Sequence, residues 1–326
     1  MVSIFKEKSA PAVVGLIFLC VALHAFFLFT PPSIVTSPGE GLLHTILQPL
    51  AGVPTIFLSL LYYIIVLAQA LRFNNLFNDV RMYPKQAFVA GLSYVLLTAL
   101  LPAWNNISSA LVANSLIIWL FFRIVKLYST PQAKALVYNI GLIAGCTILL
   151  YYPALSLIPL VFFALGVARP FRFNEWIILL LGIITPAYFW CGYLFLTGQL
   201  MDTIHNFTSI FKLHKVLDPN IKYISIALGV AGLVMVTGIF GWQANSSRMV
   251  IQVRKLWGTL FVMLLLMVPV LFVIINTWPG ALLLACVPAA AFTGNAFLYP
   301  KKIISAILFW LMVAVVVYIN WVPFKI

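Results

Sequence analysis

Few side chains in this 326-residue sequence could do chemistry, and most of them fall into two short polar stretches. Residues 30–48 hold one carboxylate and one imidazole, Glu40 and His44. Residues 200–222 hold a mixed set of acidic, imidazole and amine groups: Asp202, His205, Lys212, His214, Lys215 and Asp218. A positioned carboxylate can act as a general base, and cationic groups can bind a phosphate. These stretches are where the sequence predicts a substrate site.

Glu40 is the strongest candidate for a catalytic carboxylate. It lies between Gly39 and Gly41, and residues 30–48 contain no Lys or Arg that could pair with it. By contrast, Asp218 precedes a proline and fits a turn, and Asp202 fits a helix cap. The hypothesis therefore gives Glu40 the catalytic role and assigns substrate binding to His44, His205, Lys212, His214 and Lys215.

No motif points to a metal or a cofactor. The four cysteines, Cys20, Cys146, Cys191 and Cys286, lie in apolar runs without a CxxC or Cys/His neighbour. The sequence also has no dinucleotide fingerprint, serine-hydrolase elbow, HExxH pair or phosphate-binding glycine loop. We therefore predict neither a cofactor nor a metal ion.

The elements that must position these residues are membrane helices. Hydrophobic residues make up 64% of the chain, charged residues only 8%, and the mean hydropathy is +1.11. A soluble domain has roughly a quarter of its residues charged, so this composition indicates a protein whose surface faces lipid. The net charge of +13 is spread in twos and threes between apolar runs, which argues against nucleic-acid binding.

Hydropathy predicts an all-α, polytopic transmembrane helix bundle that forms a single domain over residues 1–326. A membrane helix needs about 20 apolar residues. Eleven spans meet this requirement or come close to it: 11–30, 51–70, 86–103, 109–127, 135–152, 154–168, 176–197, 223–243, 257–277, 279–299 and 303–322. Residues 135–168 are divided at Tyr151-Tyr152-Pro153, because one helix of that length would be about 51 Å long. Residues 41–50 are predicted to form a short interfacial helix.

The basic residues give the orientation. Fifteen of the nineteen fall before the first span and after the second, fourth, sixth, eighth and tenth spans. The other four are Lys212, Lys215, Lys222 and Lys325. Positive charge collects on the cytoplasmic side of membrane proteins, so the N-terminus is predicted to be cytoplasmic and the C-terminus external.

The middle of every predicted span lacks Asp, Glu, Lys and Arg. Ion-coupled transporters and proton pumps place such groups at bilayer depth, so ion-driven transport is not expected. His24 is the one imidazole inside a predicted span, and we interpret it as a hydrogen-bond partner of a neighbouring helix. Trp104 and Trp257 lie near span ends, where tryptophan anchors helices at the interface.

One string near the middle of the chain carries a family resemblance. It is Arg169-Pro-Phe-x-x-x-Glu-Trp176, followed by Gly182 and Thr185-Pro186, and preceded by Tyr138-Asn139-x-Gly141 and Leu149-Leu-Tyr-Tyr-Pro153. Over residues 70–200 the sequence resembles an uncharacterised family of multi-pass inner-membrane proteins from Bacteroidota. The resemblance implies a location in the bacterial inner membrane. Within the string, Arg172 and Glu175 are spaced to pair at an elbow between two spans.

A looser likeness is to GT-C glycosyltransferases, which are polytopic, begin inside and carry an acidic residue in the first external loop. Glu40 stands near that position. The sequence departs from the GT-C pattern because it has neither the usual paired acids nor a large external domain.

Three functions remain open at this point. The first is a GT-C-like protein that moves a sugar from a polyprenyl-phosphate carrier at the outer leaflet, with Glu40 as base and Lys212, Lys215 or His214 binding the phosphate. The second is a non-catalytic membrane subunit of an envelope assembly or secretion machine. The third is a lipid or solute transporter without ion coupling. The predicted partners are the lipid bilayer and either a polyprenyl-phosphate-linked substrate or other membrane subunits.

Overall fold

The protein is an all-α helical bundle, as a computed structural model shows for residues 2–35, 41–130, 132–201, 221–273 and 280–321. The helices, numbered in chain order over these residues, are α1 (Val2–Phe5), α2 (Ala10–Leu23), α3 (Leu42–Leu47), α4 (Thr55–Asp79), α5 (Val89–Thr98), α6 (Ser109–Lys126), α7 (Lys134–Leu150), α8 (Leu157–Ala168), α9 (Phe173–Leu196), α10 (Ile221–Asn245), α11 (Ile251–Val273), α12 (Cys286–Leu298) and α13 (Lys302–Trp321). Two short strands, β1 (Ile34–Val35) and β2 (Ile107–Ser108), pair in parallel.

Within the described ranges, seven helical segments are long and apolar enough to cross a membrane. They are α4, α6, α9, α10, α11, α12 with the turn before it, and α13. Shorter apolar segments contain α2, α5, α7 and α8. Together with the scarcity of charge, these helices make the chain a helical membrane protein. An apolar helix overlaps each of the eleven predicted ranges.

Several of these helices differ from their predicted bounds: α2 ends at Leu23 and not at residue 30, α11 begins at Ile251 and not at residue 257, and α12 begins at Cys286 and not at residue 279. Helices α4 and α5 differ as well. The second span was predicted to end at residue 70, but α4 continues to Asp79 and therefore carries Arg72. The extension is possible because its amide side chains accept hydrogen bonds from the following loop and helix: Asn78 from the Ala87 N–H at 3.0 Å, and Asn74 from the Gly91 N–H at 3.3 Å. Conversely, α5 has only ten residues of the predicted eighteen-residue span, because irregular backbone follows Thr98.

The predicted division of residues 135–168 is confirmed. Helix α7 ends at Leu150, Tyr151 is extended, and a 3₁₀ turn at Tyr152–Ser156 leads into α8. Pro153 lies in this turn, where it lacks a backbone N–H to continue a helical ladder. Helices α7 and α8 then pack against each other as a hairpin.

Helices α5 and α12 form the centre of the bundle. Every residue of α5 is buried, and α12 packs directly against it. Helices α2 and α4 cover other sides of α5, and α10 covers α12. A helix too short to cross a bilayer is tolerated at membrane depth when protein rather than lipid surrounds the backbone at its ends.

Glycines bring α7 and α9 into close contact. The α-carbons of Gly141 and Gly182 face each other, and Gly145 lies against the backbone carbonyl of Ile183. The Tyr138 hydroxyl lies 3.1 Å from Thr185 Oγ1 across the same interface. Small residues let membrane helices approach until their backbones touch. Four of the residues that carry the family resemblance therefore hold α7 and α9 together: Tyr138, Gly141, Gly182 and Thr185.

The elbow between α8 and α9 is built around Glu175. The predicted pair is confirmed, with Arg172 Nη1 3.8 Å from Glu175 Oε1. Arg169 adds a second pair, with its Nε 3.1 Å from Glu175 Oε2, and its Nη1 donates to the Thr130 carbonyl at 2.6 Å. Arg169 and Glu175 are nearly buried, whereas the Arg172 side chain is 63% exposed. The elbow therefore contains a nearly buried Arg169–Glu175 ion pair, to which the exposed Arg172 adds a second, longer contact.

Candidate functional site

Most of the predicted site residues lie outside the part of the chain that the structure describes. These are Glu40, His205, Lys212, His214 and Lys215. His44 lies on α3, which confirms a short helix within residues 41–50. The proposed convergence of these side chains therefore stays a prediction.

The first loop is attached to the bundle on both sides of residues 36–40. Before them, Ile34 in β1 pairs with Ile107 in β2. After them, Gly41 has a φ of +126° and packs on the backbone carbonyl of Leu150, where a Cβ would lie 2.5 Å from the oxygen. Glycine is needed there both for its positive φ and for this close approach.

Among the described residues, five 3₁₀ turns lie at the end of the bundle that the charge pattern assigns to the outside, which we call the outer end. They cover residues Ala25–Leu28, Gln48–Gly52, Pro102–Trp104, Tyr152–Ser156 and Gly280–Ala285. The last of these turns contacts the third and the fourth. Irregular backbone of this kind is common where membrane proteins form binding sites, because it frees carbonyl and amide groups from helical ladders.

A buried polar network centred on His24 ties the outer end together. His24 Nδ1 lies 2.8 Å from the Cys20 carbonyl, which can only accept, so Nδ1 carries the proton and Nε2 accepts from the Tyr62 hydroxyl at 3.2 Å. The Tyr62 hydroxyl also lies 3.4 Å from Asn105 Oδ1, and the Asn105 amide donates to Asn320 at 2.7 Å. The interpretation of His24 as a partner of a neighbouring helix is thus confirmed, because Tyr62 belongs to α4.

The network links four parts of the chain and is enclosed by aromatic rings. His24 is fully buried, and its ring lies 5.1 Å from the rings of both Phe27 and Tyr62. Asn320 brings in α13, where its amide donates to the carbonyls of Ala99 and Val316. The network therefore fixes α2, α4, the turn after α5 and α13 relative to one another.

An apolar cleft of about 360 Å³ opens between α10 and α11. Helix α10 packs on α12 and α13, while α11 packs on α8 and α12. The cleft is lined by aliphatic and aromatic side chains with a single hydroxyl: Leu97, Leu100, Trp104, Leu228, Ala231, Gly232, Met235, Ile239, Phe261, Leu264, Leu265, Met267, Val268, Leu282, Ala285, Cys286, Ala289 and Thr293. Leu265 and Val268 are about half exposed, so the cleft opens sideways at the surface of the bundle.

The cleft reaches from the middle of the helices towards the outer end. Its limit there is Trp104, whose side chain is 2% exposed, in the turn next to the His24 network. The prediction that Trp104 and Trp257 anchor the bundle at the membrane interface was wrong, because both are buried. Trp257 instead donates from Nε1 to the Met82 carbonyl at 3.2 Å.

The volume and lining of the cleft suit a small apolar ligand or a lipid chain. Sequence analysis did not identify it, since its walls come from four separate helices and have the composition of any membrane helix. Comparison with family models, curated proteins and solved structures finds no match to this chain.

Proposed function

We propose that the chain crosses the bacterial inner membrane eleven times, with its N-terminus in the cytoplasm and its C-terminus outside. Contacts among segments that the prediction places at the same end of the bundle support this topology. At the inner end, Lys6 Nζ lies 3.4 Å from the Leu298 carbonyl, and Lys255 Nζ lies 2.9 Å from the Val167 carbonyl. At the outer end, β1 pairs with β2, and Asn105 binds Asn320.

The topology predicts opposite labelling of two introduced cysteines. In a background with the four native cysteines replaced by alanine, Asn206→Cys reacts with an impermeant thiol reagent on intact cells, and Val250→Cys reacts only after lysis. The reagent cannot cross the membrane, so reaction reports the side. Labelling of position 250 in intact cells, or protection of position 206, would contradict eleven spans in this orientation.

We propose that the protein binds a polyprenyl-phosphate-linked sugar whose lipid enters sideways between α10 and α11. The observation that carries this proposal is the cleft, which is apolar, opens at the lipid-facing surface and runs towards the outer end. A polyprenyl chain in the cleft would leave its phosphate near the outer ends of these helices. Two predicted external loops then supply the polar groups, with Lys212, His214 and Lys215 for the phosphate and His44 and His205 for the sugar.

The reaction we propose is GT-C-like transfer of the sugar at the outer leaflet. Glu40 accepts the proton from a hydroxyl of the acceptor molecule, and the oxygen of that hydroxyl forms a bond to the anomeric carbon of the sugar. The bond from that carbon to the phosphate oxygen breaks, and the polyprenyl phosphate leaves with the electron pair. Gly41, the residue after Glu40, packs against the Leu150 carbonyl, which supports a location of Glu40 at the outer end.

The proposed lipid path is tested by filling the cleft from one side. Gly232 lines the cleft, and a Cβ added there meets no atom within 4 Å. In Gly232→Leu the new side chain therefore starts in open space and would fill part of the cleft. We expect photolabelling by a polyprenyl phosphate that carries a diazirine in its chain to fall about tenfold, equivalent to ~1.4 kcal/mol of binding.

Gly229→Leu is the matched control. Gly229 lies on the same helix and has equally open surroundings, but it does not line the cleft. Unchanged labelling in Gly232→Leu, or an equal loss in both variants, would remove the cleft as the lipid site. Glu40→Gln in the same assay separates chemistry from binding: labelling is kept while sugar transfer is lost. Normal transfer in Glu40→Gln would exclude Glu40 as the base.

One observation favours the alternative of a non-catalytic membrane subunit. Helix α9 packs mainly on α7 and leaves most of its surface outside the bundle, including Tyr188, Phe189 and Phe195, which are 70–72% exposed. Such a helix could contact another membrane protein. Full cellular function of both Gly232→Leu and Glu40→Gln would favour this alternative over the enzyme. Transport without ion coupling would instead show as movement of the lipid between leaflets without sugar transfer.

A further inference from the structure

A second and larger groove, of about 610 Å³, lies between α4 and α6. It is on the half of these helices nearest their C-terminal ends, which the proposed topology places in the cytoplasmic leaflet. Unlike the apolar cleft, it combines charged, polar and aromatic residues: Arg72, Asn75, Leu76, Asp79, Ser115, Ile118, Trp119 and Phe122. The groove exists because α4 continues nine residues beyond its predicted end, so that Arg72 and Asp79 project from a helix and not from a loop.

The cationic groups at the groove lack acidic partners. Among the described residues, Arg72 is exposed and forms no ion pair. Arg123 lies 5.7 Å from the centre of the Trp119 ring, and its Nε is buried without a hydrogen-bond partner. Lys126 lies 4.3 Å from the centre of the Phe122 ring. Neither side chain lines the groove, but each is stacked on an aromatic ring that does, so both add positive charge close to it.

The single acid of the groove lies at its aqueous end. Asp79 is the last residue of α4, is exposed and forms no ion pair within the described chain. It is seven residues after Arg72, which places the two α-carbons on nearly the same side of the helix and about 10 Å apart along its axis. Arg72 is therefore the deeper of the two, and Asn75 lies between them.

We propose that this groove binds the headgroup of phosphatidylethanolamine in the cytoplasmic leaflet. In this lipid the phosphate follows the acyl chains and the primary ammonium follows the phosphate. The order along α4 is the same: Arg72, for the phosphate, lies deeper in the leaflet, and Asp79, for the ammonium, lies at the aqueous end. Apolar Leu76 and Ile118 line the same groove and can contact the chains. Arginine binds phosphate through paired, charge-assisted hydrogen bonds, and a carboxylate accepts from an ammonium in the same way.

The acid also determines which lipid is preferred. Phosphatidylglycerol offers the same phosphate but has hydroxyls in place of the ammonium, so Asp79 gains no ion pair and faces a net negative headgroup. Free phosphoethanolamine has the same polar chemistry but no chains to cover Leu76 and Ile118. The proposal depends on the orientation of the bundle but not on the function of the α10–α11 cleft, so either can fail alone.

The test measures which lipids stay bound to the intact protein. Protein extracted from bilayers with equal amounts of phosphatidylethanolamine and phosphatidylglycerol is analysed by native mass spectrometry. Wild type is expected to retain phosphatidylethanolamine in excess. Arg72→Gln should retain about tenfold less of it, because the phosphate loses a charged partner, while Arg254→Gln, at an exposed position outside the groove, should match wild type.

The acid is tested separately, because its removal should change selectivity and not overall binding. Asp79→Asn is expected to raise the ratio of retained phosphatidylglycerol to phosphatidylethanolamine, and Glu7→Gln, an exposed acid elsewhere, should leave it unchanged. Millimolar phosphoethanolamine should not displace the lipid. Unchanged retention in Arg72→Gln, an unchanged ratio in Asp79→Asn, or displacement by phosphoethanolamine would overturn the assignment. Each variant is first compared with wild type by size-exclusion elution, and Arg72→Lys, which keeps the charge, serves if Arg72→Gln does not fold.

Discussion

Replacing Gly145 with alanine is expected to lower the free energy of unfolding by about 2 kcal/mol, although the change adds one methyl group. The added Cβ would overlap the backbone carbonyl of Ile183, which cannot move aside as a flexible side chain could. Helices α7 and α9 must then separate along the whole interface that Gly141 and Gly182 also form. Unfolding in detergent by titration with sodium dodecyl sulfate, followed by tryptophan fluorescence, measures the change.

The control uses the same substitution on the same pair of helices. Gly192 lies on α9, and a Cβ there meets no atom within 4 Å. Gly192→Ala should change the free energy of unfolding by less than about 1 kcal/mol, in the stabilising direction, because alanine has the higher helix propensity. Equal destabilisation by both variants would show that loss of a glycine, and not contact at Gly145, causes the effect.

Neutralising Glu175 is expected to have a still larger effect, a loss of about 3 kcal/mol for Glu175→Gln. The substitution keeps the shape of the side chain but leaves Arg169 almost buried without a counter-charge. Hydrogen bonds to neutral acceptors, such as the one from Arg169 to the Thr130 carbonyl, do not replace a counter-charge for a buried guanidinium. The same detergent unfolding assay measures the loss, and it should depend little on salt because the pair is shielded from solvent.

Arg172→Gln provides the comparison for the elbow. This arginine also pairs with Glu175, but at 3.8 Å and with a side chain that is 63% exposed. Exposed ion pairs contribute roughly 0–1 kcal/mol, so its removal should be nearly neutral. If Arg172→Gln destabilises the protein as much as Glu175→Gln, the exposed pair and not the Arg169 pair stabilises the elbow.

The helices were predictable where apolar residues alone decide the structure. Runs of apolar residues located each of the eleven apolar helices, and Pro153 marked the break between α7 and α8. The predicted helix ends were wrong where tertiary contacts determine where a helix stops. Asn74 and Asn78 looked like loop residues, because a sequence does not show that their side chains will accept hydrogen bonds from the backbone around α5. The end of α5 was missed because apolar residues continue past Thr98 in irregular backbone.

The candidate sites were predictable only in part. Polar residues in the two external loops stand out in an apolar chain, and they remain predictions because they lie outside the described residues. The α10–α11 cleft carries no signal in the sequence, since it arises where two consecutive helices pack on α12 but diverge to α13 and α8, their other neighbours. The α4–α6 groove needed the true length of α4. Without that length, Arg72 and Asp79 appear as ordinary loop charges.

The central position of α5 has a consequence for how the protein is made. This ten-residue helix leaves the ribosome about 190 residues before its main neighbour α12, which at ~5–20 residues per second is a delay of roughly 10–40 s. During that time α5 is too short to cross the bilayer alone, and part of its final covering does not yet exist. The membrane insertion machinery, or the earlier helices α2 and α4, must shelter it until α12 arrives. The centre of the bundle can therefore be completed only after α12 has been synthesised.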